Sequence, residues 1–135
     1  MREGEYLEDL RRTAGRNNVR LPKDSKLAAL FGDEISSGAV VRNVYREADA
    51  GGFLVLSSSA VTSVRSHLRG PRVEWTIPHT DLTSASTSRR IGAGNALFMD
   101  VVFRTASEDH EFTVGMAMPD ELQRFEVVQQ NADII

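Results

Sequence analysis

At 135 residues, with 41% hydrophobic and 26% charged side chains, the chain has the size and composition of one globular domain able to build a core unaided, which excludes wholesale disorder. A net charge of -3 excludes the basic excess of a dedicated nucleic-acid binder, and the lack of cysteine excludes disulfides, thiolate-bound zinc, iron–sulfur clusters and thiol nucleophiles. The N-terminal stretch MREGEYLEDLRRTAG is charged throughout, unlike a signal peptide, and no segment approaches the roughly 20 apolar residues of a membrane span, so a cytoplasmic protein is expected.

In chain order, Glu3 to Ala14 predicts a short amphipathic helix. Tyr6, Leu7, Leu10 and Ala14 share one face, and Glu3, Glu8, Asp9, Arg11 and Arg12 fill the other. Acidic residues early and arginines late suit the helix dipole, and Gly15 reads as the stop. Asn17-Asn18 and Pro22 mark a linker, so residues 1–24 read as a helical arm and linker ahead of a domain spanning 25–135. The pattern leaves open whether this arm docks. A second helix starts between Pro22 and Ser25, carries Leu27, Leu30 and Phe31 on its apolar stripe, and stops at Gly32.

Strand signals follow. Ala39 to Tyr45 puts Val41 and Tyr45 on one face and Val40 and Val44 on the other, with Arg42 interrupting the second. After a loop over Arg46 to Gly52, Phe53 to Leu56 is apolar on both faces and should pair with Val61 to Val64 across Ser57-Ser58-Ser59. A turn at Gly70-Pro71 leads into a strand where Val73, Trp75 and Ile77 alternate with Arg72, Glu74 and Thr76; Trp75 is the expected core anchor. Leu82 to Ser88 is polar enough for an edge strand or a barrel corner, and Arg89 to Asn95 reads as loop. Leu97 to Arg104 and Glu111 to Val114 form a hairpin across Ala106 to Asp109, and Pro119 to Asp133 forms a closing helix with Leu122, Phe125, Val128 and Ala132 on one face. The expected anchors of the core are Leu54, Leu56, Trp75, Ile77, Phe103, Leu122 and Phe125.

Catalytic signals are weak. His79 and Asp81 stand two apart without a third ligand in reach, Gly92-x-Gly94 lacks the third glycine and the following helix of a phosphate loop, and no serine sits in a Gly-x-Ser-x-Gly elbow. No enzyme activity, metal or small-molecule cofactor is expected. Two surfaces remain. Arg65, Arg69 and Arg72 gather with His67 around one hairpin, and Arg89 with Arg90 in the expected long loop. At about 1 kcal/mol per arginine near an anionic membrane surface they could recruit the chain reversibly, although arginines at a hairpin tip are ordinarily just a solvated turn. Phe98 and Val102 add a second apolar face to a strand whose core side is already supplied by Leu97, Met99, Val101 and Phe103, which points to cover by the N-terminal helices or by another chain. A homo-oligomer or another protein is therefore the expected partner.

Leu54-Val55-Leu56, followed by Ile77-Pro78-His79-Thr80-Asp81-Leu82, a two-strand hairpin and a terminal helix, resembles the bacterial pleckstrin-homology-like domains, which are related in fold to GRAM domains. Leu30-Phe31-Gly32-Asp33-Glu34 is similar to the acidic Gly-Glu step before their first strand, whereas Ser57-Ser58-Ser59-Ala60 departs from their charged turn. The resemblance covers roughly residues 27–131. It implies a mainly β fold, a barrel of about seven antiparallel strands in two orthogonal sheets closed by a C-terminal α-helix, here with additional N-terminal helices. For function it implies a noncatalytic binding or assembly module, self-associating and mediating protein–protein contact, with peripheral binding to an anionic membrane surface as the alternative. The loop Arg46-Glu47-Ala48-Asp49-Ala50-Gly51-Gly52 departs from the lipid-binding relatives, because its acids offset its arginine.

Overall fold

The computed structural model describes residues 3–48, 51–91 and 97–116. The helix expected over Pro119 to Asp133, with Leu122 and Phe125, lies outside them, as does Gly92-x-Gly94. Two units make up the chain: Met1–Arg46 with Gly51–Thr76, and Glu47–Ala50 with Ile77–Ile135.

In the first unit, α1 (Glu3–Arg16) buries the stripe read from its spacing, Tyr6, Leu7, Leu10 and Ala14. A 14-residue helix is marginal alone. Here it joins a core with Val19, Leu27 and Phe31, and with Val41, Val44, Phe53, Val55 and Val64 of the sheet, so the arm is docked. Polar ties reinforce this: Asn17 Nδ2 donates to the Val44 carbonyl at 2.6 Å, and the Arg11 guanidinium reaches Asp24 at 2.6 Å and the Pro22 carbonyl at 2.8 Å. The adjoining Asn18 takes φ 56, a left-handed conformation asparagine tolerates.

Gly32 does not end the helical run. The chain breaks at Phe31 (φ -112, ψ 24) between α2 (Asp24–Leu30) and α3 (Gly32–Ser37). The left-handed stop falls instead to Gly38 (φ 75), whose N–H bonds the Ile35 carbonyl at 3.2 Å. Phe31 sits at the break with its ring buried in the core, while a Cβ on Gly32 would meet nothing within 4 Å, so no close approach calls for glycine there.

Strands β1 (Val41–Arg46), β2 (Phe53–Ser57), β3 (Ala60–His67) and β4 (Gly70–Pro78) form a sheet in that order. All of β2 is buried, as its two-faced apolar run implies. In β1 the faces differ from the simple alternation: a bulge between Val41 and Asn43 shifts the register, so Val41 and Val44 enter the same core while Tyr45 faces the other way beside Leu54. One extra residue reverses the parity of every side chain beyond it. The serine turn between β2 and β3 is organised around Glu34. Ser57 Oγ accepts the N–H groups of Ser59 and Ala60 at 3.2 and 3.1 Å, and both Ser57 and Ser59 donate to Glu34 Oε2 at 2.9 and 2.7 Å. The charge missing from the turn itself is thus supplied by α3.

The following hairpin turns one step earlier than Gly70-Pro71 suggests. Leu68 and Arg69 form the turn, Gly70 takes φ 119 as the first residue of β4, and Pro71 lies inside the strand. Among the described residues β4 has a neighbouring strand on one side only, and the alternating set is covered unevenly: Ile77 is buried, Trp75 is half-buried rather than a full core anchor, and Val73 is exposed.

The described part of the second unit holds a 3-10 turn over His79–Asp81 and a sheet β5 (Leu82–Ile91), β6 (Leu97–Thr105) and β7 (Asp109–Met116), in that order. Arg89, Arg90 and Ile91, read as loop, continue β5 because they pair with Met99, Phe98 and Leu97 of β6. Met99, Val101 and Phe103 are buried with Phe112 and Val114, while the side chains of Leu97 and Arg90 are not among those described. Leu54, Leu56, Ile77 and Phe103 are all at most 2% exposed.

Tyr6 carries a testable peculiarity. Its ring lies 6.0 Å from that of Phe31, and its hydroxyl is buried without a hydrogen-bond partner among the described residues. Burial first, and the Glu34 carboxylate second, push its ionisation well above the ordinary 10.0. The folded chain therefore keeps this proton where the unfolded chain releases it. The associated stability is complete below pH 10.0 and is lost as pH rises beyond it. Tyr6→Phe should raise stability at neutral pH by about 1 kcal/mol and flatten the alkaline decline in thermal melts near pH 11. A loss of stability in the variant would show that the hydroxyl has a partner.

Candidate functional site

Two surfaces take shape from these elements. The first is the β3–β4 hairpin. Arg65, His67, Leu68, Arg69 and Arg72 are all exposed on it, and Leu68 at the turn projects its whole side chain. His67 Nε2 meets Glu74 Oε1 across the hairpin at 3.2 Å. From α2, Lys26 places its ammonium 2.8 Å from where a Cβ on Gly70 would stand, so a cation lies against the hairpin backbone. The sequence pattern singles out the arginines but not Leu68 or Lys26. A leucine inside a two-residue turn was the available signal for the first; nothing local signals the second.

Arg89 and Arg90, the other expected basic pair, stand on β5 in the second unit. They are part of a strand, and Arg89 is exposed.

The second surface is the sheet of the second unit. On its outer side, Ser84, Ser86 and Ser88 of β5 are exposed, Phe98, Asp100, Val102 and Arg104 of β6 are half-buried, and Glu111 and Thr113 follow on β7. Polar members of this face bond one another: Thr113 Oγ1 donates to Asp100 Oδ1 at 2.6 Å, and Arg104 donates to Ser86 Oγ at 2.9 Å and pairs with Asp109 at 3.6 Å. Asp100 is thus held by its cross-strand neighbour. Val102 stands between these pairs and Phe98 beyond Asp100, and together they are the apolar part of the face.

The groove of about 540 Å³ along α1, lined by Gly4, Leu7, Glu8, Arg11, Arg12 and Asp24, has its arginines paired to Asp24 and Asp9. Among the described residues no three metal-binding side chains come together, and His110 Nε2 pairs with Glu108 at 3.0 Å. No described helix is long and apolar enough to cross a membrane.

Comparison with solved structures places the chain beside the pleckstrin homology domain from Shewanella amazonensis, at a TM-score of 0.50 and 12% identity over 79% of this chain and 96% of that one. No family model matches the sequence, and no curated protein matches it. The fold is pleckstrin-homology-like: mainly β, with antiparallel sheets of four and three strands.

Proposed function

We propose that the chain is a noncatalytic binding and assembly module that associates with protein, in the first place with a second copy of itself, through the sheet of its second unit. The observation that supports this reading is the outer side of that sheet, where Phe98 and Val102 stand among mutually bonded polar groups and no strand borders β5 on its far side among the described residues. Apolar surface beside an open strand edge is a ready site for a partner. Light scattering coupled to size exclusion tests it: a defined oligomer is expected at micromolar concentration. A monomer at every concentration up to the solubility limit sinks the reading.

A second reading is favoured by one feature, the wholly exposed Leu68 between Arg65 and Arg69, with Arg72 and Lys26 close by in sequence or space. A leucine rimmed by cations suits the boundary of an anionic bilayer, where apolar insertion and charge attraction add. Co-sedimentation with phosphatidylserine vesicles should then fall as salt rises, and Leu68→Asp should abolish it. Binding that ignores salt, or none at low salt, removes this reading.

A further inference from the structure

Each sheet edge has to be protected from unwanted pairing or kept for use. On β1, the Asn17 side chain takes the Val44 carbonyl and Asn43 Oδ1 accepts the Val44 N–H at 3.1 Å. On β7, Glu47 bridges to Val114 and the Ala48 N–H bonds the Thr113 carbonyl at 2.9 Å. The edge of β4 carries Pro71, Arg72 and Glu74, residues that discourage strand addition. β5 differs. From Ser84 to Ser88 it has no charge, proline or glycine, and no backbone hydrogen bond reaches its far side among the described residues.

We infer that a second copy of this chain adds to that edge, β5 against β5 in antiparallel register about Ser86, joining two three-stranded sheets into one of six. This rests on the self-association proposed above and specifies its geometry. Charge along the strand selects the occupant. Asp81 precedes β5 and Arg89-Arg90 close it, so the edge is acidic at one end, basic at the other and neutral between. Two identical strands related by a two-fold axis must have one residue facing itself. With Ser86 there, Ser84 faces Ser88 of the second copy. The bulge between Leu82 and Ser84 takes up one residue, so Asp81 of each copy comes beside the Arg89–Arg90 end of the other. Centring on Ser88 would draw the two arginine ends together, and centring on Ser84 would set Asp81 against the uncharged middle. Of these three serine-centred registers, only that about Ser86 pairs opposite charges at both ends.

The absence of cysteine makes the test clean. Single variants Ser84→Cys, Ser86→Cys and Ser88→Cys are oxidised separately and in mixtures. The expected result is disulfide dimer from Ser86→Cys alone and from Ser84→Cys mixed with Ser88→Cys, but little from either of those alone. In parallel, Asp81→Arg and Arg89→Glu should each weaken dimerisation about tenfold, since the two-fold axis doubles each change, and the double variant should recover it. A stable oligomer with uniform cross-linking and no response to the charge exchange overturns strand addition while leaving self-association standing. A wild-type monomer at all concentrations overturns both.

Discussion

Deleting residues 1–21 should unfold the first unit instead of trimming a dispensable arm. The deletion removes Tyr6, Leu7, Leu10, Ala14 and Val19 from the core that backs β1, β2 and β3, together with the Arg11 and Asn17 ties. Truncating one buried leucine to alanine typically costs about 2–5 kcal/mol. Losing several such side chains at once exceeds much of the roughly 5–15 kcal/mol that holds a domain of this size. It also strips Val41, Val44, Phe53, Val55 and Val64 of the cover that α1 gives them, leaving only Leu27, Phe31 and their neighbours over that apolar sheet face. Circular dichroism and urea unfolding of the shortened chain should show lost cooperativity and concentration-dependent aggregation. A truncated chain that melts within about 1 kcal/mol of the full one would mean that the α1 contacts contribute little.

Phe103→Ala should be the most damaging single change among the described residues of the second unit, at about 3–5 kcal/mol, because Phe103 is 1% exposed and leaves a large void when shortened. Its neighbour Val102 lies on the other side of the same strand and is half-buried, so Val102→Ala should cost well under about 1.5 kcal/mol. Urea titrations read both, and an unchanged slope would assign the effect to stability alone. Equal losses at the two positions would contradict the assigned faces of β6. The contrast also separates roles: Val102 belongs to the surface proposed for association, Phe103 to the core that supports it.

The candidate surfaces were legible in unequal measure. Arg65, Arg69 and Arg72 are exposed on one hairpin because a polar run next to a turn stays in water wherever the hairpin sits. Arg89 and Arg90 read as loop because glycine and asparagine follow closely, yet nine consecutive partners on β6 hold β5 extended through Ile91. Trp75 was the natural anchor by size and alternation. Its strand borders only β3 among the described residues, and of its side chains only Ile77 is fully buried. Nor does the Ser57-Ser58-Ser59 turn announce its organiser, since Glu34 lies 23 residues before Ser57.

What the chain determines by itself is periodicity. The Tyr6, Leu7, Leu10, Ala14 stripe and the Met99, Val101, Phe103 alternation follow from 3.6 and 2 residues per repeat, which every local segment carries within it. Tertiary structure decided what local geometry cannot hold: that α1 docks, that the bulge in β1 turns Val41 and Val44 to one side, that Phe31 and not Gly32 breaks the helix, and that β5 runs on through Ile91. Each of these depends on which distant segment lies alongside, a matter of pairing and burial between residues far apart in sequence, and the free energy that settles it appears only once both partners are in place.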